Sequence, residues 1–388
     1  MRPAKIAIIA THPIQYQVPW FQKLAEQTEL TVYYALLPDA EQQGVGFCVP
    51  FKWDIPMLEG YKWRVMPNKR PSPSLRGFFA SSTPAIHSLL SETKPDVVII
   101  TGWHALPLLQ ALWACIRLGI PRIVRGESNG FRKRSFRTRM LHRLMLSRFD
   151  AFLAIGQANR DFYLQYGINP EHIFVGNYFI DNHRFQEQLR QIPDGRFAVR
   201  SGWGIPEKAV CFVYVGKLEP KKRILDLLRA VDRARQLNSS LHLLVVGDGE
   251  LMAEARQMVE ALGLPVRFAG FLNQREITRA YLAADCLVLP SDFGETWGLV
   301  VNEAMACGLP ALVSDRVGCW PDLVKEDRTG MVFPCGDIDA LAGKLLELSS
   351  DPARLAGMGA QASEHIRQYS VEQAVAGTMD AIDFVLQR

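Results

Sequence analysis

Short apolar runs alternate with stretches of helical period along almost the whole chain. That rhythm predicts βαβ units and parallel sheets. In the first half, strands are expected near 5–10 (KIAIIA), 31–36, 96–101 (DVVIIT), 121–125, 150–155 and 172–175, with helices near 17–27, 105–118, 135–148 and 158–166. Residues 38–82 break the rhythm. They are rich in Pro, Gly, Lys and aromatic residues and read as an irregular excursion with room for a hairpin. The second half restarts the pattern, with strands near 210–215 (VCFVYV), 241–246, 265–269, 285–289 and 310–313 and helices near 223–236, 249–262, 274–283, 298–307 and 338–348. The polar stretch 181–206 ends in a turn cluster and reads as the boundary between two halves. The last twenty residues, YSVEQAVAGTMDAIDFVLQR, form one more amphipathic helix. The expected architecture is α/β: two doubly wound domains in tandem, residues 1–185 and 186–368, followed by a helix over 369–388.

Length and composition agree with this picture. At roughly 100–200 residues per domain, 388 residues suit two cores, and 48% apolar with 22% charged residues is ordinary globular composition. Seven scattered cysteines without a C-x-x-C pair exclude a zinc ribbon or redox motif and predict free thiols in a reducing compartment, the cytoplasm. The start, MRPAKIAIIATHP, reads as a first strand rather than a signal peptide. No window reaches the roughly 18 apolar residues of a spanning helix, so a soluble chain is expected. The sequon Asn238-Ser239-Ser240 reads as chance.

Charge changes the picture only locally. The net charge is +4, yet Arg122 to Arg148 alone carries nine Lys/Arg against one Glu. Here FRKRSFRTRMLHRLMLSR interleaves Phe, Met and Leu with Arg. Three readings stay open for residues 131–148: a solvated helix with one buried face, a helix lying on anionic lipid at the inner face of a membrane, and, weakest of the three, contact with nucleic-acid phosphate.

In open α/β sheets, ligands bind beyond the carboxyl ends of the strands. After VCFVYV comes GKLEPKKRILDLL, where Gly216 allows a tight exit and Lys217 and Lys222 precede a helix. Two cations beside free helix N–H groups make an anion site; a solvated basic turn is the plainer alternative. After LHLLVV comes GDGELMAEA, too incomplete for a dinucleotide fingerprint and better read as a tight turn. Asp337-x-Asp339 reads as a helix N-cap followed by a first-turn acid rather than a metal pair. No metal site is expected.

The stretch FGETWGLVVNEAMACGLP holds Glu295 and Glu303, eight positions apart. Eight residues rotate a helix by roughly 80° from alignment, so Glu295 must lie on a loop folded over a helix that starts near Gly298. The helix start offers N–H donors to a phosphate, and the carboxylates offer acceptors to hydroxyls. A nucleotide sugar explains the spacing; a cap and an exposed acid are the alternative.

These segments (VGKLEPKKRILDLLRA, VVGDGEL, VRFAGFL, ADCLVLPSDFGETWGLVVNEAMACGLPALVS and TGMVFPCGDIDAL) occur in the order and spacing of family-4 glycosyltransferases, which the chain resembles over nearly all of 208–345. The resemblance implies a GT-B fold, two Rossmann-like domains facing a central cleft, and a retaining enzyme. The first domain would be the acceptor side, and the final helix would cross back to it. The donor would be a UDP- or GDP-sugar. The acceptor would be a glycan, a lipid-linked molecule or a small molecule, in cell-surface glycan or glycoconjugate biosynthesis. Glu303 would hold the ribose and Glu295 the donor sugar. Thr296, Trp297, Gly298 and Leu299 would meet sugar and diphosphate through their backbone N–H groups. Lys217 and Lys222 would neutralise the leaving diphosphate in place of a metal, with Gly216 beside them, and Phe271 and Leu272 would pass the base. The chain departs where the family usually has Arg (Lys217) and Gly (Arg223), and Lys lacks the guanidinium fork.

In the first half, His104 stands where the family often has a His that orients the donor sugar; a structural loop histidine is the alternative. The first loop, THPIQYQVPWF, puts His12, Gln15 and Tyr16 where many relatives have glycines, and it is expected to shape the acceptor pocket. Arg125 and Glu127 of RGESNG are further acceptor-side candidates. Two rival functions remain, a nucleotide-sugar epimerase or phosphorylase on the same fold and a non-catalytic nucleotide-sugar binding module.

Overall fold

The computed structural model describes residues 2–238 and 240–387; Met1, Ser239 of the sequon, and Arg388 lie outside the described residues. The described chain divides into two units. The first comprises Met1–Gln43, Ile55–Phe179 and Ser370–Arg388, the second Gly44–Asp54 and Ile180–Tyr369.

The first unit is built on strands that are apolar because both their faces are covered, as parallel sheets require. In β1 (Lys5–Ala10), Ile6, Ile8 and Ala10 face one core cluster while Ala7 and Ile9 face another. The strands β2 (Glu29–Tyr34), β3 (Lys62–Val65), β4 (Val97–Ile100), β5 (Arg122–Val124), β6 (Ala151–Ala154) and β7 (Ile173–Val175) complete a parallel sheet in the order β3-β2-β1-β4-β5-β6-β7. Helix α1 (Val18–Ala25) covers one face, where Trp20, Phe21 and Leu24 are buried. After the short α2 (Ala40–Gly44), helices α3 (Ile86–Thr93) and α4 (Leu106–Leu118) cover the other face through Ile86, Leu90, Leu108, Ala111, Leu112 and Cys115. Helices α5 (Phe136–Leu146) and α6 (Gln157–Gln165) follow.

The expected hairpin within 38–82 is not formed. The segment holds one strand, β3, which pairs parallel to β2 at the sheet edge. All four β3 residues (KWRV) are exposed, so the strand lacks the continuous buried apolar run that marks the others.

The boundary stretch 181–206 is itself helical in part. It contains α7 (Asn182–Arg190) and α8 (Gly195–Gly202), which pack against later helices of the second unit. Each has a thin apolar face, with Phe185 buried in one and Val199 in the other. Asp181 caps α7 by accepting from the Arg184 N–H at 2.9 Å. Buried Arg200 anchors α8 to the carbonyls of Ala283 and Ala209 and to Asp285.

The second unit repeats the plan with β8 (Val210–Val215), α9 (Ile224–Arg235), β9 (Leu241–Val246), α10 (Met252–Leu262), β10 (Val266–Gly270), α11 (Ile277–Ala283), β11 (Cys286–Leu289), α12 (Leu299–Ala306), β12 (Ala311–Ser314), the short α13 (Trp320–Leu323), β13 (Gly330–Phe333), α14 (Ile338–Ser349) and α15 (Pro352–His365). Its parallel sheet runs β10-β9-β8-β11-β12-β13. Asp337 caps α14 through the Ala340 N–H at 2.9 Å, and Asp339 pairs with Arg233.

The last helix, α16 (Val371–Leu386), belongs to the first unit. It packs on α1 and β7, burying Ala374, Val375, Ala381 and Ile382. Gly377 permits this approach: a Cβ there would stand 1.7 Å from the Val175 carbonyl oxygen. Trp20 Nε1 donates to Thr378 Oγ1 at 3.2 Å and satisfies a buried indole.

Candidate functional site

In the second unit, the end of β8 opens into the loop that carries Lys217 and Lys222. This loop is braced by the turn after β9. A Cβ on Gly247 would lie 2.0 Å from the Gly216 oxygen, and one on Gly249 would lie 2.6 Å from the Leu218 nitrogen. Leu218 N–H donates to Asp248 O at 2.9 Å, and Leu251 N–H donates back to Leu218 O at 2.9 Å. The GDG turn is therefore a backbone clamp on the lysine loop, which accounts for its glycines.

The loop delivers Lys222 to Glu295. The two side chains form an ion pair, each about one-seventh exposed (14% and 15%). Ser291 Oγ donates to the same Glu295 oxygen at 3.3 Å. Tyr214, at the end of β8, has its phenol held well above its usual range by burial and then by the nearby Glu295 charge. Its hydroxyl donates to the Lys217 carbonyl at 2.8 Å.

Glu295 lies on the loop before α12. Gly298 caps that helix at φ 100°, in the left-handed region that favours glycine. The loop is fixed from outside by Gly318, whose N–H donates to Glu295 O at 3.0 Å, and by Cys319, whose N–H donates to Trp297 O at 2.9 Å. A Cβ on Gly318 would stand 1.8 Å from the Thr296 oxygen. The Trp297 side chain is buried and donates to Asn302 at 2.8 Å, so its ring packs inward. Leu299 opens α12.

Glu303 lies inside α12 and is 2% exposed. Its carboxylate accepts from the Tyr281 hydroxyl of α11 at 2.6 Å. Lys222 and Glu295 are therefore brought together directly, whereas Glu303 is oriented from behind by a residue that sequence reasoning missed. Tyr281 sits in an apolar helical stretch and reads as core. Ser291 was missed too, being one small polar residue after a strand.

Lys217 is occupied in a different way. Its Nζ donates to the Val45 carbonyl at 3.1 Å and lies 5.0 Å from the centre of the Phe47 ring. Phe47 and Phe51 in turn pack on Phe271 at ring-centre distances of 5.1 and 4.3 Å. Asn273 donates to Lys52 O at 2.7 Å, which ties down the end of the same segment. Gly44–Asp54 thus covers both Lys217 and Phe271, and half-buried Leu272 follows directly. Arg223, where the resembled family has Gly, keeps a left-handed backbone at φ 54° and pairs with Asp226. The backbone conformation that favours glycine is retained although the residue is not.

In the first unit, His12 and His104 line one cavity of about 270 Å3, together with Thr11, Ser74, Phe78 and Ser81. Thr11 Oγ1 is 3.0 Å from His12 Nδ1. Burial, and secondarily the neighbouring His104, lowers the His12 pKa to about 4. The His104 ring is largely surrounded by protein although its edge reaches solvent; burial pushes its pKa down and the Glu127 charge opposes the shift. Glu127 accepts from the Tyr178 hydroxyl. Arg125 is 3% exposed and stacks on Trp20, Tyr178 and Phe179, so it sits behind the loop rather than in the cavity. Gln15 and Tyr16 are half-buried on the loop entering α1. Among the described residues, no group of three or more His, Cys, Asp or Glu side chains is arranged to hold a metal ion.

Comparison with known proteins places these features in a family. Residues 196–365 match the model of glycosyl transferases group 1, and residues 39–177 match a glycosyl transferase 4-like domain. A D-inositol 3-phosphate glycosyltransferase of Streptomyces avermitilis is 35% identical over 205 residues, covering 50% of this chain and 44% of that protein. A sulfoquinovosyl transferase of Arabidopsis thaliana is 32% identical over 194 residues, covering 49% of this chain and 36% of that protein. The chain thus matches about half the length of such relatives, or less. Among solved structures, an Anabaena protein in complex with UDP and glucose superposes with a TM-score of 0.74 at 17% identity, covering 98% of this chain and 99% of the other. A glycosyltransferase from Rickettsia africae gives 0.77 at 12% identity, covering all of both chains. The two family models together span most of the chain, residues 39–177 and 196–365, and the chain belongs to the family-4 glycosyltransferases.

Proposed function

We propose that this chain transfers a sugar, with retention of anomeric configuration, from a UDP- or GDP-sugar to a hydroxyl acceptor. The observation that carries this reading is the Lys222–Glu295 ion pair on the loop before α12, backed by Ser291 just after β11. A diphosphate arriving at that helix start competes for Lys222, and the freed Glu295 carboxylate then accepts from sugar hydroxyls. Glu303, oriented by Tyr281, holds the ribose. The backbone N–H groups of Thr296, Trp297, Gly298 and Leu299 meet the sugar and diphosphate, Gly216 leaves room beside them, and Phe271 and Leu272 pass the base.

In the reaction, the bond from the anomeric carbon to the diphosphate oxygen breaks with its electron pair on the leaving group. The acceptor oxygen bonds the same face of that carbon, and its proton goes to the departing phosphate. Lys222 and Lys217 stabilise the charge that develops there. His104 orients the donor sugar. His12, Gln15, Tyr16 and Glu127 shape the acceptor side, and Arg125 supports that loop from behind. With two ammonium groups in this role, chelation of divalent metals is expected to leave activity unchanged.

Glu295→Gln tests the assignment. It keeps the shape of the side chain and removes its charge, and transfer is expected to fall by about 100-fold or more. A variant working at the wild-type rate would remove Glu295 from the mechanism. An epimerase or phosphorylase would instead turn over donor without an acceptor or with inorganic phosphate.

One observation favours peripheral attachment to an anionic membrane through 131–148. On α5 only Leu146 is buried, while Phe136, Met140, Leu141 and Leu144 are 75, 50, 65 and 58% exposed among Arg side chains. A merely solvated helix with one buried face would hide them. Flotation with anionic but not neutral vesicles is the expected result. No helix among the described residues is long and apolar enough to cross a membrane.

A further inference from the structure

Beside α5 the first unit holds a second cavity, of about 410 Å3, within the range of about 300–1,000 Å3 typical of ligand sites. Its walls are almost wholly apolar. Leu109, Leu112 and Ile116 of α4 face Leu141, Leu144 and Met145 of α5. Trp103 also lines it, held at the other side of its ring by Phe162, with ring centres 6.2 Å apart. At its rim Trp113 is 62% exposed. An apolar groove of this size continues an exposed apolar helix surface and needs an apolar occupant.

Two further observations say which occupant. First, Phe78 lines both this groove and the cavity of His12 and His104, so the two spaces adjoin within one unit. A molecule bound in the groove can present its other end to the two histidines. Second, the surroundings are cationic. Arg148 lines the groove itself, and a polar cavity of about 460 Å3 next to it is lined by Arg132, Lys133, Arg134 and Arg139 with no carboxylate among its lining residues. The ring contact of His142, which lines the groove, with Tyr166, which lines the basic cavity, joins the two at 5.7 Å. This complements an anionic group attached directly to a hydrocarbon chain.

We propose that the groove between α4 and α5 holds the hydrocarbon chain of an anionic, lipid-linked acceptor, and that the head of this acceptor passes over Phe78 to His12 and His104. The inference rests on the transferase reading for the word acceptor, but the binding of the chain can be tested without it.

The test is calorimetric titration of the full chain with octyl, decyl and dodecyl phosphate, each below its micelle concentration, with inorganic phosphate alongside. Affinity should rise by up to about fourfold per added methylene until the groove is full, and inorganic phosphate should not reproduce it. Ile116→Trp fills the groove, and Leu144→Gln makes its exposed wall polar. Both should weaken dodecyl phosphate binding at least tenfold with unchanged melting temperature and unchanged UDP or GDP binding. Affinity independent of chain length, or insensitive to both variants, overturns the proposal. So does anionic-vesicle binding by a protein that takes up no monomeric alkyl phosphate, since α5 would then only lie on the membrane. If neither UDP- nor GDP-sugars bind while the alkyl phosphates do, the transferase reading falls and the lipid site stands.

Discussion

Lys222 and Glu295 neutralise one another in a largely buried setting, so each is costly to leave alone. Lys222→Ala is expected to weaken donor binding at least tenfold and also to lower the melting temperature, because Glu295 loses its counter-charge. Tyr281→Phe is a finer probe. It removes one charge-assisted hydrogen bond worth roughly 1.5–3 kcal/mol and lets the Glu303 carboxylate turn. Donor KM is expected to rise several-fold while kcat changes little; a kcat loss with unchanged KM would contradict the ribose role. His12 gives a pH signature. Its pKa is about 4 in the folded chain against 6.5 ordinarily, so as pH falls through this window the unfolded chain takes the proton first. Stability should be level above about 6.5 and decline toward pH 4, with His104 adding in the same direction. The melting temperature of His12→Gln should fall less steeply over that range.

At the scale of elements, the strands were legible because parallel strands buried on both faces are continuous apolar runs. β1, β8 and β9 stand where the pattern puts them. β3 was not legible, since an exposed edge strand of four residues, KWRV, makes no continuous apolar run. α7 and α8 were hidden because each buries so little: one or two residues in a polar stretch do not make a period. The GDG turn was readable as a turn but not as a clamp, because its partners at Gly216 and Leu218 are distant in sequence. The same holds for Gly44–Asp54, whose contacts with Lys217 and Phe271 no local pattern encodes. That segment carries its own prediction. A diphosphate beside Lys217 competes with the Val45 carbonyl and the Phe47 ring for its ammonium, so donor binding should loosen Gly44–Asp54. Hydrogen exchange at residues 45–52 is expected to quicken when UDP or GDP binds. Slower exchange there would mean that the segment closes on the nucleotide instead.

At the scale of the molecule, each unit carries its own set of polar side chains at the carboxyl ends of a parallel sheet, as open α/β sheets dispose them. The second unit has the set suited to a nucleotide diphosphate, and it was the more legible in sequence. Its residues fall mainly in two short runs, 216–223 and 295–303, whose glycines and charges are locally visible. The first unit has two neutral-leaning histidines beside one another and an apolar groove next to them. That arrangement was legible only as scattered candidates, because Phe78, Trp103 and α5 meet through tertiary packing. If the second unit recognises the donor, calorimetric titration with UDP- and GDP-hexoses should show 1:1 binding of one of the two classes, weakened at least tenfold by Lys222→Ala. Binding of neither, or equal binding by the variant, would contradict it.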